Sequence, residues 1–150
     1  MPGNWTIDVF EADNGSQPFA QFVTKLTPAQ RVAISATIEH RLVPFGIDLV
    51  STEWMKALKE GLYELRIRHH ADEITGPDQE PTARAPGGER ILLRVFVHFY
   101  GNRIVLLLGG YDKGNDPSDR RQQREIAAAR KLLTQFRNRQ QRDRRSRGKR

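Results

Sequence analysis

Gly61-Leu62-Tyr63-Glu64-Leu65-Arg66-Ile67-Arg68 is the stretch that decides the fold, because apolar and charged residues alternate along it. Alternation with a period of two is the pattern of a β-strand that buries one face and exposes the other. The tyrosine, leucine and isoleucine share the buried face, and the glutamate and both arginines share the exposed one. Guanidinium groups on an exposed face are suited to phosphate, since they are planar and permanently charged. Taken alone, the stretch fits a solvated edge strand better, with charges that prevent aggregation.

The net charge of +7 is concentrated at one end of the chain. Residues 137–150 hold eight basic residues and one acidic residue, which leaves 17 basic and 17 acidic residues in 1–136. The body is therefore neutral, and nucleic-acid binding by the body must depend on local arrangement rather than on total charge. The arginine-rich tail has two interpretations: it binds phosphates, or it only raises solubility and binds nucleic acid without specificity.

Composition and missing motifs exclude several classes of protein. A chain of 150 residues fits one domain, and it contains no apolar run long enough for a membrane span and no secretory signal. There is no cysteine, no glycine-rich phosphate loop, no His-Glu-x-x-His and no nucleophile elbow. His69 and His70 are adjacent on a strand and point to opposite faces, so they do not form a metal pair. We therefore expect a cytoplasmic protein without a metal or a cofactor.

The first half of the chain predicts one strand followed by two helices. The strand covers residues 5–11 and ends at a turn over 13–15. Phe19, Phe22, Val23 and Leu26 mark the buried side of a short helix. The second helix begins with a capping box over 27–30, carries Ile34, Ile38 and Leu42 as its apolar stripe, and is closed by Pro44 and Gly46.

The second half predicts three strands and a final helix. After the strand over 61–69 comes a polar loop over 71–90, then a hairpin of residues 91–100 and 103–111. The run 104–108 is apolar on both faces, which is typical of a central strand covered on both sides. Asp116 and Pro117 start the last helix, whose apolar stripe ends at Phe136, so residues 137–150 are expected to be a frayed helix end or disordered. The order β-α-α-β-β-β-α predicts an antiparallel α+β domain over 1–136.

Polar side chains from the last three strands fall near one another in this arrangement. Alternation puts Arg94 and His98 on one face of their strand. It groups Tyr111 and Lys113 with Leu107 on the next strand. In a meander, six side chains converge on one concave surface: Arg66, Arg68, Arg94, His98, Tyr111 and Lys113. Such a set suits RNA strand cleavage, which needs the 2′-hydroxyl deprotonated, the phosphorane charge offset and the 5′-oxygen protonated.

Several of these residues have a structural alternative. His98 lies between Phe96 and Tyr100 and fits a hydrogen-bonded structural histidine better than a catalyst. Glu64 is expected to pair with Arg94 across strands and to hold it in place. Tyr111 could stack on a base, as aromatic side chains in RNA sites do, or simply cap the strand end together with Lys113.

The chain resembles the HigB-like, phage-derived branch of the RelE/ParE toxins over about residues 5–136. The resemblance rests on five stretches: Lys59-Glu60-Gly61-Leu62-Tyr63-Glu64-Leu65-Arg66, Arg94-Val95-Phe96-Val97, Gly101-Asn102-Arg103-Ile104-Val105-Leu106-Leu107, Lys113 with Pro117, and Glu125-Ile126-Ala127-Ala128-Ala129. Its most specific part is Gly-Leu-Tyr-Glu-Leu-Arg, followed by the hairpin.

The resemblance implies the toxin of a toxin–antitoxin pair, which cuts mRNA at the ribosome without a metal and is neutralised by a cognate helix-turn-helix antitoxin. By position, Arg66 and Arg94 correspond to the cations that bind the scissile phosphate, Lys113 to the lysine after the last strand, and Tyr111 to an aromatic residue near the cut. His98 completes the expected catalytic set. The expected RNA-binding residues are Lys59 and Arg68 in the body, together with Arg137, Arg139, Arg142, Arg144 and Arg145 in the tail, which lies outside the resemblance.

The chain departs from the family pattern after the last strand. The family commonly has His-Gly-Phe-x-Lys-Lys there, whereas this chain reads Gly109-Gly110-Tyr111-Asp112-Lys113-Gly114. A histidine and a lysine are missing, and an aspartate is added. Cleavage could then be weaker, shifted onto His98, or absent. Two alternatives to an mRNA endonuclease stay open: a ParE-like toxin that inhibits gyrase without RNase activity, and a non-catalytic RNA-binding module.

Overall fold

The computed structural model describes residues 4–70 and 90–148, which form an α+β domain built on one mixed five-stranded sheet. The strand order across the sheet is β1-β5-β4-β3-β2. The strands are β1 (Thr6–Val9), β2 (Met55–Ala57), β3 (Tyr63–His70), β4 (Arg90–Tyr100) and β5 (Ile104–Asp112). The loop predicted over 71–90 lies outside the described residues, apart from Arg90 at the start of β4.

The helices lie before and after the long strands. They are α1 (Pro18–Thr24), α2 (Pro28–Thr37), the short α3 (Val43–Phe45) and α4 (Asp119–Gly148). A π-helical turn, Ile38–Leu42, joins α2 to α3, and a 3₁₀ helix, Gly46–Ser51, follows α3. Within the part of the chain that the structure describes, no helix combines the length and the apolar character that crossing a bilayer requires.

Each face of the sheet is covered by helices and buries its own apolar cluster. One cluster joins α1 and α2 to the side chains of Leu65, Val95 and Leu107. The other joins α4, through Ala129 and Leu133, to the opposite face. The predicted central position of the 104–108 run is confirmed, since β5 lies between β1 and β4 and residues 105–109 are all buried.

The predicted helix starts are confirmed for α2 and shifted for α4. The Thr27 hydroxyl accepts from the Gln30 amide, and the Gln30 side chain accepts from the Thr27 amide, which completes the capping box. α4 begins at Asp119 rather than at Pro117. Its first turn is capped by Ser118, whose hydroxyl accepts from the Arg121 amide. Asp116 instead accepts from the Ser118 amide and shapes the turn before the helix.

Two further expectations about the fold need correction. The sheet is not wholly antiparallel, because β1 pairs with β5 in parallel. A short edge strand, β2, lies between the second predicted helix and the predicted strand over 61–69, where no strand was expected, and it pairs with β3. Of the residues expected to form a frayed helix end or to be disordered, those from 137 to 148 belong to α4, which ends at Gly148.

A β-bulge between β4 and β5 decides which side chains share a face. Phe96 pairs with Gly109 and Val97 pairs with Leu107, so Leu108 is the extra residue on β5. Strict alternation grouped Leu107 with Tyr111, and that grouping is wrong. The extra residue turns Tyr111 onto the face that packs against α4, while Leu107 stays on the opposite face.

Candidate functional site

Three neighbouring strands align a row of polar residues on the face covered by α4. Arg66 of β3 pairs with Arg94 of β4, and Arg94 pairs with Tyr111 of β5. Glu64 lies two residues before Arg66 on β3 and so on the same face, and Lys113 follows the end of β5. We call Glu64, Arg66, Arg94, Tyr111 and Lys113 the Glu64 cluster. The bulge is what completes it, because without the extra residue Tyr111 would point to the other side of the sheet.

The Glu64 carboxylate is the centre of the cluster and is fully buried. Its Oε1 lies 3.4 Å from Arg66 Nε and 3.5 Å from Arg94 Nε. Its Oε2 accepts a hydrogen bond of 3.4 Å from the side-chain amide of Gln122 on α4. A buried carboxylate needs such partners, because an unpaired charge in the interior is strongly unfavourable. The expected pairing of Glu64 with Arg94 is therefore confirmed, and Glu64 holds Arg66 as well.

Arg94 is only 1% exposed, which is exceptional for an arginine. Its Nη1 donates to the carbonyl oxygen of Leu93 at 3.2 Å, whereas its Nε has no hydrogen-bond partner among the described residues. Burial lowers the pKa of Arg94, and the nearby Glu64 carboxylate opposes that shift. The side chain lies beneath the surface, so it is not accessible to direct contact from outside in this conformation.

Tyr111 is also buried and lies between two side chains. Its ring stacks on Phe96 with the centroids 6.0 Å apart, and the Arg121 guanidinium lies 5.3 Å from its ring centroid. Its hydroxyl has no hydrogen-bond partner in the described part of the chain. Burial raises the pKa of this phenol, and Glu64 adds to the effect. Tyr111 is thus a packed core residue in this conformation, and it is not placed to stack on a base.

The exposed rim of the cluster consists of Arg66 and Lys113, with Arg68 further along β3. The Arg66 side chain is 24% exposed, Lys113 is half-buried, and Arg68 is exposed. Desolvation is the main cause that lowers the pKa of Lys113, and the positive charge of Arg94 adds to it against the opposing effect of Glu64. A lower pKa increases the fraction of neutral amine at neutral pH, and that neutral form can accept a proton.

His98 does not belong to the cluster. It lies four residues beyond Arg94 on β4, and its Nδ1 lies 2.7 Å from the carbonyl oxygen of Gly61. Its ring meets Phe136 of α4 edge to face at 5.9 Å. Desolvation lowers the pKa of the imidazole, and the Gly61 hydrogen bond opposes the shift. The structural interpretation of His98 fits these contacts better than a catalytic one.

The expected RNA-binding residues outside the sheet are one lysine before β3 and five arginines of α4. Lys59 is exposed in the turn before β3, where it adopts a left-handed backbone with φ +75°. Arg137 donates to the carbonyl oxygen of Glu60 at 2.6 Å, and Arg139 contacts Asp13 at 2.8 Å. These two arginines fasten α4 to the body. The other three expected residues are exposed on the helix: Arg142, Arg144 and Arg145.

Asp112, the aspartate that departs from the family pattern, does not face the Glu64 cluster. Asp112 pairs with Leu93, which places it on the opposite side of β5 from Tyr111. There its Oδ2 accepts a hydrogen bond of 2.9 Å from Gln30 and so ties α2 to the sheet.

Sequence reasoning missed Gln122, although its position carried a signal. Gln122 lies four residues before Ile126 and seven before Ala129, so it extends the apolar stripe of α4 toward the helix start. A polar residue on such a stripe is expected to meet a buried polar partner, and here that partner is Glu64.

The described residues contain no group of three or more histidine, aspartate or glutamate side chains placed to hold a metal ion. No protein-family model matches the chain, and no curated protein matches it. Evidence about function therefore comes from the arrangement of the Glu64 cluster and of the surfaces around it.

Proposed function

We propose that the protein is the toxin of a type II toxin–antitoxin system and cleaves mRNA at the ribosome as a RelE-like, HigB-type endonuclease. The observation that carries the proposal is the gathering of Arg66, Arg94 and Lys113 around the buried Glu64 on an otherwise neutral body. The helices between β1 and the long strands, and the helix after β5, are compatible with a RelE-like order of elements. The proposed partners are mRNA, the ribosome and a helix-turn-helix antitoxin, all in the cytoplasm.

In this proposal the rim residues perform the chemistry. Arg66 binds the scissile phosphate, because its guanidinium is held at one edge by Glu64 and is partly exposed. The unprotonated fraction of Lys113, which its lowered pKa increases, accepts the proton of the 2′-hydroxyl, whose oxygen attacks the phosphorus while the bond to the 5′-oxygen breaks. Arg94 adds positive charge from beneath and so stabilises the phosphorane. The reaction needs no other reactant, because a proton taken from the 2′-hydroxyl is returned to the 5′-oxygen.

The test uses inducible expression of the parent chain and of two single variants, Arg66→Gln and Lys113→Gln. We expect both variants to lose growth inhibition and the induced 5′ ends of mRNA, with melting temperatures within a few degrees of the parent. Lys25→Gln and Arg103→Gln remove exposed cations away from the cluster, and both should stay toxic. Full toxicity of both cluster variants would overturn the proposal. Arg94→Ala is unsuited to the test, because it removes one of the two arginines that stabilise the buried Glu64 carboxylate. The variant is therefore expected to be less stable, and lost toxicity could reflect unfolding.

One observation favours a second candidate, a ParE-like toxin that inhibits gyrase by binding. Arg94 and Tyr111 are buried beneath α4, so two of the five expected catalytic residues touch no substrate in this conformation. A supercoiling assay with purified protein separates the candidates. An mRNA endonuclease leaves gyrase activity unchanged, whereas a gyrase inhibitor blocks supercoiling and produces no new mRNA ends.

A further inference from the structure

α4 carries a row of cations along the face turned away from the sheet. We call this row the outer ridge; it consists of Arg120, Arg124, Lys131, Arg142 and Arg145, all exposed. At 3.6 residues per turn these positions fall within about 60° of one another around the helix axis, and they span about 37 Å along it. The ridge therefore runs almost the full length of a 30-residue helix.

The outer ridge lacks the carboxylates that would neutralise it. Asp119, Glu125 and Asp143 are the acidic residues of α4, and each lies about 100° or more from the middle of the ridge. None of the five ridge side chains forms a hydrogen bond or an ion pair with another described residue. Arg124 and Arg142 contribute to the lowered pKa of Asp116 and Asp13, but those carboxylates are already bonded to Ser118 and Arg139.

Four other arginines of the same helix have structural partners, unlike the five residues of the ridge. Arg130 donates to the carbonyl oxygens of Leu58 and Lys59, and Arg121 pairs with Glu125 at 3.0 Å. Arg137 and Arg139 fasten the helix to Glu60 and Asp13, as described above. These four arginines therefore help to hold α4 together and on the body, whereas the five ridge cations have no such partner among the described residues. Arg144, which lies off the ridge, is exposed as well.

We propose that the outer ridge binds the phosphate backbone of a double-stranded nucleic acid without reading its sequence. A long row of cations without carboxylates suits a nucleic-acid backbone, because that backbone carries a negative charge at every phosphate. The ridge has no aromatic residue, and its neutral exposed neighbours include Ala127, Thr134 and Asn138. It therefore lacks the aromatic platform on which proteins that bind single strands usually stack the bases. An anionic membrane fits less well, because the apolar side of α4 is packed on the sheet and cannot enter a bilayer.

The surface goes beyond the proposed endonuclease, because it lies on the opposite side of α4 from the Glu64 cluster and needs no cleavage. It also differs from the arginine-rich tail expected from sequence. Three ridge cations, Arg120, Arg124 and Lys131, lie before residue 137, whereas Arg137 and Arg139 lie off the ridge.

The test measures binding of the full chain to a fluorescein-labelled 24-base-pair RNA duplex across a series of salt concentrations, with gels to show that the duplex stays intact. A DNA duplex of the same sequence and vesicles with anionic headgroups are the other two probes. Two ridge variants each lose two charges: Arg124→Gln with Lys131→Gln, and Arg142→Gln with Arg145→Gln. The control, Lys25→Gln with Arg103→Gln, loses the same charge from exposed positions off the helix.

We expect each ridge variant to bind a duplex about tenfold more weakly than the parent. The slope of the logarithm of affinity against the logarithm of salt concentration should fall in magnitude by about 1.5. The control should match the parent in both measurements. The RNA and DNA arms show which duplex is preferred. Equal losses in all three variants would attribute binding to total charge, and a loss confined to Arg142 and Arg145 would attribute it to the tail; either result overturns the proposal. Ridge-dependent binding to vesicles without binding to a duplex also overturns it. The growth assay described above tests the proposed endonuclease separately, so failure of one proposal can be distinguished from failure of the other.

Discussion

Arg94 Nε lies 3.5 Å from Glu64 Oε1, and both side chains are almost completely removed from solvent. The two charges stabilise each other in an interior where either one alone would be strongly unfavourable. Because Arg66 shares the same carboxylate oxygen, the buried pair also fixes the position of the exposed rim. Fold stability and the candidate chemistry therefore depend on the same glutamate.

Replacing Glu64 with glutamine should be strongly destabilising. The amide cannot compensate the buried charge of Arg94, so we expect the free energy of unfolding to fall by about 3 kcal/mol or more. Urea unfolding followed by circular dichroism measures this loss. The control is Glu60→Gln, whose side chain is 81% exposed and lies 3.9 Å from Arg130. That change should cost less than about 1 kcal/mol, and equal losses would contradict the central position of Glu64.

Tyr111→Phe should leave the protein as stable as the parent or more stable by up to about 1 kcal/mol. The hydroxyl is buried and has no partner among the described residues, so its removal eliminates an unsatisfied polar group while the stack on Phe96 remains. Thermal and urea unfolding measure the change. A clear loss of stability would mean that the hydroxyl has a bonding partner after all.

The same variant tests the catalytic role that the resemblance implies for Tyr111. The packing beneath α4 predicts that Tyr111→Phe keeps growth inhibition, since the phenol does not reach the surface. Lost toxicity in a stable Tyr111→Phe protein would instead show that α4 moves during function and uncovers the hydroxyl.

Much of the fold was predictable from sequence because its signals are local. The alternation before Arg68, the capping box at Thr27 and the apolar run of β5 each specify one element through neighbouring residues, and the structure contains all three. The Glu64–Arg94 contact was also predictable, since cross-strand neighbours follow from the pairing of adjacent strands.

The remaining features depend on contacts between distant residues. The bulge at Leu108 shifts register by one residue, and no local pattern distinguishes that residue from its apolar neighbours. The parallel pairing of β1 with β5 joins segments almost 100 residues apart in sequence. Arg94 is buried because α4 packs on this face of the sheet. Alternation alone predicts an exposed cation here, whereas in the structure Arg94 lies beneath the exposed residues of the site.

Gly110→Ala should be destabilising, whereas Gly109→Ala should be tolerated. A Cβ at Gly110 would lie 2.6 Å from Phe22 Cε2 and 2.7 Å from the carbonyl oxygen of Arg94, so α1 or the strand must shift. Overpacking of this kind costs about 1–3 kcal/mol. A Cβ at Gly109 meets only Pro18 Cβ at 3.9 Å, an ordinary contact. Urea unfolding of the two variants measures the difference, and equal stabilities would contradict the close packing of Phe22.

Stability should depend on the protonation of His98 at mildly acidic pH. Burial lowers the pKa of its imidazole below the ordinary value of 6.5. In the unfolded chain the histidine binds a proton more readily, so lowering the pH favours unfolding. The stability that the neutral ring contributes is fully present above about pH 6.5 and is lost as the pH falls through the lowered pKa of the folded state.

The measurement compares urea unfolding at pH 7.5 and pH 5 for the parent and for His98→Gln. The parent should lose more free energy of unfolding between the two pH values than the variant does, because the glutamine has no proton to bind. His40→Gln changes an exposed histidine on the π-helical turn, and it should keep the pH dependence of the parent. If His98→Gln loses as much stability as the parent on acidification, burial of the His98 ring does not control this transition and the carboxylates account for it.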